Sequence, residues 1–269
     1  MWEKTEKDGI TYYTLPQWQE AGAKVVLSCR PGGESDAPFN GLNLGLHVED
    51  DPERVVANRR KFLGAVGGRE EDFVSVKQVH GKRILHAQSV HRGLGFASYS
   101  DAVDDTDGLF TDEKHVLMAT FYADCLPVAV FHPGEKLLGL AHAGWKGTYQ
   151  NIGGELLAAM RRWRDFDPGE CWCALGAGIG RCCYEVDEAF YRRFLERYPN
   201  ATQWFTEEEN GKIYFDNVKA NLSLLVDCGV KEEHIDVLGL CTSCHNDLFF
   251  SYRKEQGKTG RHGLWGELI

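Results

Sequence analysis

Cys125 breaks an apolar run. In FYADCLPVAVF, residues 121–131, an acid and a thiol stand where a strand buried on both faces should read as unbroken Val, Ile, Leu and Phe. An isolated Cys there would be a small hydrophobe beside a turn Asp, so the question is what else arrives at the same place. The run is followed by HPGEK, a turn signal, and then by LLGLAH, a second apolar run ending in His142. Read as an antiparallel hairpin centred near Gly134, the pair has partner numbers summing to about 268. Cys125 then lies opposite His142 or its neighbours. A thiol and an imidazole side by side at the open end of a hairpin can share a metal or form a nucleophile and its base.

His80 ends another strand-like stretch, in VSVKQVHGKR, just before a glycine. Alone it reads as a surface residue at a turn. Together, His80, Cys125 and His142 are three ligands of borderline softness, which suits zinc with an open fourth position; the same donors also admit copper. Past His142, AHAGWKGT leads from strand through two glycines and Lys146 into a helix. Glycines let the backbone approach a ligand closely, and a helix N-terminus favours an anion. The spacing is not that of the GxxxxGK[ST] phosphate loop.

These residues need a scaffold, and the composition supplies one. Apolar residues make up 43% of the 269 and charged residues 26%, which is ordinary globular material. The formal net charge is −10, with no dense Lys/Arg block, so nucleic acid is not an expected partner. No stretch approaches membrane-spanning length, MWEKTEKDGITYY carries no apolar segment of signal-peptide type, and a cytoplasmic location is expected. Nine cysteines, an odd number, argue for reduced thiols rather than a disulfide framework.

No repeat, low-complexity tract or linker divides the chain, which reads as one domain over residues 1–269. Strand signals are dense: TYYTL, KVVLSC, DFVSVKQV, HVLMATFY, PVAVF, LLGLAH, WCALGAGI and HIDVLGL. Four helices interleave. One starts at Asp51 with Pro52 in its first position, one covers about 149–164, one begins at Asp187, and one runs from Asp216 to Gly229. The irregular order of strands and helices predicts an α+β fold with mixed sheets.

KQVHG, ADCLPV and GLAHAGWKGT together resemble the YfiH/YlmD family of purine nucleoside phosphorylases, once called laccase-like polyphenol oxidases. SCRPGGESDAPFNGLNLGLHVEDDPERVVANRR is similar to the family's N-terminal signature, GAGIGRCCYEV to its glycine motif, and CT…FFSYRK…GKTGR to its C-terminal part. Ala177 and Arg181 stand where the commoner family form has proline. The resemblance implies two mixed β-sheets packed together with helices outside. It also implies that His80, Cys125 and His142 are zinc ligands and catalytic residues. The implied activity is phosphorolysis of adenosine, inosine, guanosine and methylthioadenosine, with phosphate as co-substrate, and deamination of adenosine. On that reading Arg30, before a Gly-Gly loop, and Lys146 are candidate phosphate contacts. Asp124 is a candidate to orient a histidine or handle a proton, and Asn43, within the N-terminal signature, is a further candidate substrate contact.

Two other classes stand beside it. Cys125 activated by His142 would give an amide hydrolase, and some family members are linked to editing of peptidoglycan precursors. A protein that only binds purines or metal is the other. The HxH and HCH patterns of multicopper oxidases are missing. CTSCH, residues 241–245, formally matches c-type haem attachment, but the absent signal segment and the family motif argue against haem. A structural zinc on its CxxC would need two more ligands, for which Cys182 and Cys183 are the adjacent pair on offer.

Overall fold

Side-chain alternation along the strands sets the layering. In strand Ala23–Ser28, Val25 and Leu27 face one way and Val26 the other. In Leu126–His132, Ala129 and Phe131 join Val25 and Leu27 in one core, while Val128 and Val130 point to the opposite side. Each strand is therefore apolar on both faces, and each sheet is covered twice. The computed structural model describes residues 1–269.

The first six-stranded sheet has the order Glu3–Lys7, Ile10–Thr14, Ala23–Ser28, His262–Leu268, Leu117–Tyr122, Phe73–Ser75. The second has the order Ile235–Val237, Trp172–Leu175, Leu126–His132, Leu137–Ala143, Gly108–Thr111, Ile84–His86. Both are mixed: Phe73–Ser75, Ile84–His86 and Ile235–Val237 each pair parallel to a neighbour within otherwise antiparallel sheets. Their facing sides share a core that includes Tyr13, Leu27, Met118, Phe131 and Leu140. Outside the first sheet, helix Pro52–Val66 lays Phe62 and Leu63 against Phe73, Leu117 and Trp265. Outside the second, helices Ile152–Trp163 and Asn217–Asp227 set Leu156, Met160 and Leu225 on Val128, Val130 and Leu137. Gly139 lets the first of these helices sit close, since a Cβ there would lie 2.8 Å from a Leu156 methyl. The fold is α+β, two mixed sheets packed as a sandwich with helices outside, as the sequence and its resemblance implied. A small third sheet joins Glu185–Val186, Ile213–Phe215 and Phe205–Glu207.

Three helices begin at their expected caps. Asp51, Asp187 and Asp216 each accept a backbone N–H of the first turn, and the left-handed Gly67 follows the helix begun at Asp51. The helix expected over about 149–164 is Ile152–Trp163, and a short helix, Trp145–Tyr149, precedes it. Asn151, with φ 55°, turns the chain between them and caps the second through its carboxamide oxygen. Strands Glu3–Lys7, Ile84–His86, Gly108–Thr111 and His262–Leu268 carried too weak a signal to be expected. DFVSVKQV is a strand only to Ser75, after which Val76 makes a single bridge to Val103. No helix is long and apolar enough to cross a membrane.

Candidate metal centre and active site

The hairpin of Leu126–His132 and Leu137–Ala143 pairs Pro127 with His142, one residue from the expected register, and Cys125 stands at its open end. Gly144 makes the meeting feasible: a Cβ there would come within 2.8 Å of both the Cys125 sulfur and the His80 ring. His80 reaches the same point from the loop after Phe73–Ser75. The donor atoms of His80, Cys125 and His142 all lie within 4.8 Å of one another, with Cys125 Sγ 3.7 Å from His80 Nε2.

Asp107 holds this arrangement. Its carboxylate, fully buried, is 2.8 Å from His142 Nδ1. It also accepts the backbone amides of Val79, His80 and Gly81 at 3.1, 2.9 and 2.7 Å. A carboxylate on Nδ1 fixes the imidazole so that Nε2 faces the cluster, the usual support of a metal-ligating histidine. The three amides fix the loop in which His80 adopts φ 61°, a conformation costly for a non-glycine residue. Burial alone would raise the Asp107 pKa, but His142 and the amides hold it below the ordinary carboxylate value.

The same contacts set the titration of the pair. Burial pushes the Cys125 thiol up, yet the His142 and His80 imidazoles outweigh it and bring it down to about 6. Burial would lower His142, but the Cys125 and Asp107 charges raise it to about 9. A thiolate is thus available at neutral pH, as either a metal ligand or a nucleophile requires.

The cluster opens onto a cavity of about 450 Å³, within the roughly 300–1,000 Å³ range of small-molecule sites. Phe121, Trp145, Tyr184 and Tyr252 form aromatic walls, and Arg253 and Arg261 bring positive charge. Arg261 donates to the Thr259 and Gly260 carbonyls at 2.8 and 2.9 Å. Burial depresses its pKa. His47, an exposed residue, also lines the cavity.

The other candidates named from the sequence fall differently. Asp124 lines the cavity, but its carboxylate is taken: Thr242 Oγ1 donates to it at 2.6 Å and the Arg253 amide at 2.6 Å. It therefore clamps the C-terminal segment beside Cys125, and the orienting of histidine expected of it falls to Asp107. Arg30 is not part of the cavity lining. Its guanidinium is spent on Glu255 at 2.9 Å and on Asn40 and the Asn246 carbonyl, with its flat face over Phe250. Asn43 is buried away from the lining, where its carboxamide oxygen accepts the Gly45 and Arg261 amides, so it acts on the site through Arg261. Lys146 is exposed outside the lining, its ammonium 5.6 Å from the centre of the Trp145 ring. Asp107 and Arg261 were missed by sequence reasoning. The only signals for them were an Asp ending an acidic loop before GLFT and an Arg inside GKTGR.

A family profile described as "Multi-copper polyphenol oxidoreductase laccase" matches residues 24–265. A curated relative named purine nucleoside phosphorylase YlmD, from Geobacillus stearothermophilus, is 40% identical over 90% of this chain and 88% of its own. The chain belongs to the YfiH/YlmD family. The YlmD phosphorylase of Bacillus subtilis is 35% identical over 87% of this chain and 84% of its own. The crystal structure of the Geobacillus stearothermophilus YlmD superposes with a TM-score of 0.92 at 38% identity, covering 98% of this chain and 97% of that one. The YfiH structure from Bacillus licheniformis gives a TM-score of 0.92 at 33% identity, covering 98% of each chain.

Proposed function

We propose that this YfiH/YlmD family member is a zinc-dependent purine nucleoside phosphorylase that also deaminates adenosine. Adenosine, inosine, guanosine and methylthioadenosine are its proposed nucleosides, and His80, Cys125 and His142 its zinc ligands. The observation that carries the reading is the meeting of these three donors, with Asp107 behind them, at the floor of an aromatic-walled cavity holding Arg261. The names of the curated relatives point the same way. The donor set fits zinc: two imidazoles and one thiolate within a single ion's reach, one imidazole braced by a carboxylate, and space on the open side. When bound, zinc supplies Lewis acidity and a lowered pKa for water.

The chain's own residues do the rest. The aromatic walls stack the flat purine. In phosphorolysis a phosphate oxygen bonds to the anomeric carbon as the bond to the purine nitrogen breaks, and the electron pair leaves with the base. Arg261 offers charge to the incoming phosphate in a site where burial strengthens it. In deamination water displaces ammonia from the purine ring, a step that needs no phosphate contact. Incubating the protein with adenosine, with and without phosphate, tests both. Adenine and ribose 1-phosphate should form only with phosphate, and inosine in either case. Neither set of products appearing would sink the proposal.

The second reading is a Cys125–His142–Asp107 hydrolase acting on amide bonds, for instance in peptidoglycan precursors. It is favoured by the depressed thiol, the raised imidazole and the carboxylate on the far ring nitrogen, which is the order of roles in a nucleophile–base–orienter triad. Activity that survives complete metal removal would select it.

A further inference from the structure

Four cysteines outside the active site converge. Cys182 and Cys183 lie in the turn after Gly180, and Cys241 and Cys244 begin and end CTSC, some sixty residues later. A parallel bridge between Gly178 and Cys241, with the Thr242 amide donating to the Gly178 carbonyl at 3.1 Å, joins the two segments. The four sulfurs all lie within 4.8 Å of one another. Cys244 Sγ is 3.5 Å from both Cys182 Sγ and Cys183 Sγ.

These spacings discriminate between occupants. Four thiolates about 2.3 Å from a tetrahedral ion stand about 3.8 Å apart. A disulfide would pair the sulfurs two by two at about 2 Å, whereas Cys244 is shared equally between two neighbours. A cluster of several irons would spread its thiolates around a wider core than this. An all-sulfur tetrahedral set selects a soft ion over magnesium or calcium.

The surroundings favour thiolate at Cys241. The Gly180 amide donates to Cys241 Sγ at 3.2 Å. Such N–H groups stabilise a metal-bound thiolate. Gly180 eases the approach, because a Cβ there would press to 3.1 Å from the Cys241 Cβ and 3.3 Å from Cys182 Sγ.

We propose that Cys182, Cys183, Cys241 and Cys244 form a second, structural metal site holding one tetrahedral zinc ion, separate from the His80–Cys125–His142 group. Binding replaces thiol protons by the metal and releases them to solvent. The ion staples the 176–184 loop, which carries the cavity residues Ile179 and Tyr184, to the segment where Thr242 holds Asp124 beside Cys125. None of this depends on the reaction catalysed at the first site.

The test is metal stoichiometry in protein purified with reductant and without added chelator. The wild type should carry about two zinc ions per chain, and Cys182→Ser/Cys244→Ser about one. Because that variant could fail to fold, a second measurement uses His80→Ala/Cys125→Ala, in which the first site is disabled. Cobalt added to this chain should give sulfur-to-metal charge-transfer and intense tetrahedral bands with one equivalent bound. A wild type holding one ion that the double serine variant retains would overturn the proposal. So would a cobalt-loaded first-site variant without thiolate bands, or a mass showing these cysteines already joined as disulfides.

Discussion

Asp107 accepts the Nδ1 proton of His142 at 2.8 Å and, with the same carboxylate, gathers the amides of the loop that presents His80. One side chain thereby positions two of the three candidate ligands, which come from segments separated by about sixty residues in sequence. Asp107→Asn should break this unevenly. The carboxamide retains a single acceptor oxygen and offers an N–H where acceptors are needed. Metal affinity at the His80–Cys125–His142 site should fall about 10- to 100-fold, read by competition with a chromogenic chelator, while the helices and sheets persist by circular dichroism. An unchanged affinity would mean that the ligands position themselves.

Cys125 should change its reactivity with metal. Held by the ion it should alkylate slowly; stripped, it should react as a thiolate. Its depressed pKa of about 6 means the rate in stripped protein should rise as pH climbs through about 6, whereas an ordinary thiol waits until about 8.5. Peptide mapping after brief iodoacetamide treatment, with and without chelator, separates Cys125 from the exposed Cys182 and Cys244. Equal labelling of Cys125 in both samples at pH 7 would remove the metal reading, and activity surviving in the stripped sample would favour the hydrolase.

The contact between Cys125 and His142 was legible because it is local. Sixteen residues of apolar–turn–apolar pattern set a register, and the structure shifts it by only one. His80 could be joined to them through motif resemblance but not through spacing, since it arrives by its own loop. Asp107 and Arg261 were illegible for a different reason. Each is brought in by a strand whose sequence signal is weak, GLFT for one and HGLWGEL for the other. The second of these lies at the centre of the first sheet despite Gly263 and Gly266, because its neighbours on both sides supply the pairing. Arg30 and Lys146 show the converse. Neighbouring glycines made each a candidate phosphate contact, but the Arg30 guanidinium closes a local network with Glu255 and Asn40. The four-cysteine cluster was visible as a CC and a CxxC, and only the Gly178–Cys241 bridge makes them one site.

A buried neutral histidine should make the fold acid-sensitive. Burial, helped by Arg261, lowers the fully buried His262 to about 3, against about 6.5 in the unfolded chain. Between those values the unfolded state takes up protons that the folded state refuses. Its contribution to stability is therefore full above pH 6.5 and declines as pH falls towards 3, by up to about 1.4 kcal/mol per pH unit. Urea midpoints at pH 7.0 and 5.5 measure the slope. His262→Gln should flatten it, whatever its effect at pH 7; an equal slope in the variant would show that other groups set the acid limit.

Arg261 is the residue that should separate phosphorolysis from deamination. It is a half-buried cation in the cavity wall, its backbone amide fixed by Asn43. Only phosphorolysis brings a multiply charged anion into the cavity. Losing one charge-assisted contact to phosphate costs roughly 1.5–3 kcal/mol, or about ten- to a hundredfold in efficiency. Arg261→Ala should therefore weaken phosphorolysis by that factor, mainly as a higher apparent KM for phosphate, and leave inosine formation much less affected. Arg261→Lys should recover part of the loss, because the charge remains while the fork of donors does not. Two comparisons frame the result. Arg30→Ala should act on stability instead, lowering it by roughly 1.5–3 kcal/mol, since the half-buried Glu255 loses its cation while keeping the Asn246, Ser251 and Thr259 donors, with the product ratio unchanged in the folded fraction. Lys146→Ala, at an exposed position, should change neither stability nor the ratio by more than about twofold. The measurement is the ratio of adenine to inosine formed from adenosine as phosphate is raised. If Arg261→Ala lowers both products by one factor, Arg261 shapes the cavity without touching phosphate; if Lys146→Ala alone shifts the ratio, the anion sits at the N-terminus of the short Trp145–Tyr149 helix rather than against the C-terminal strand.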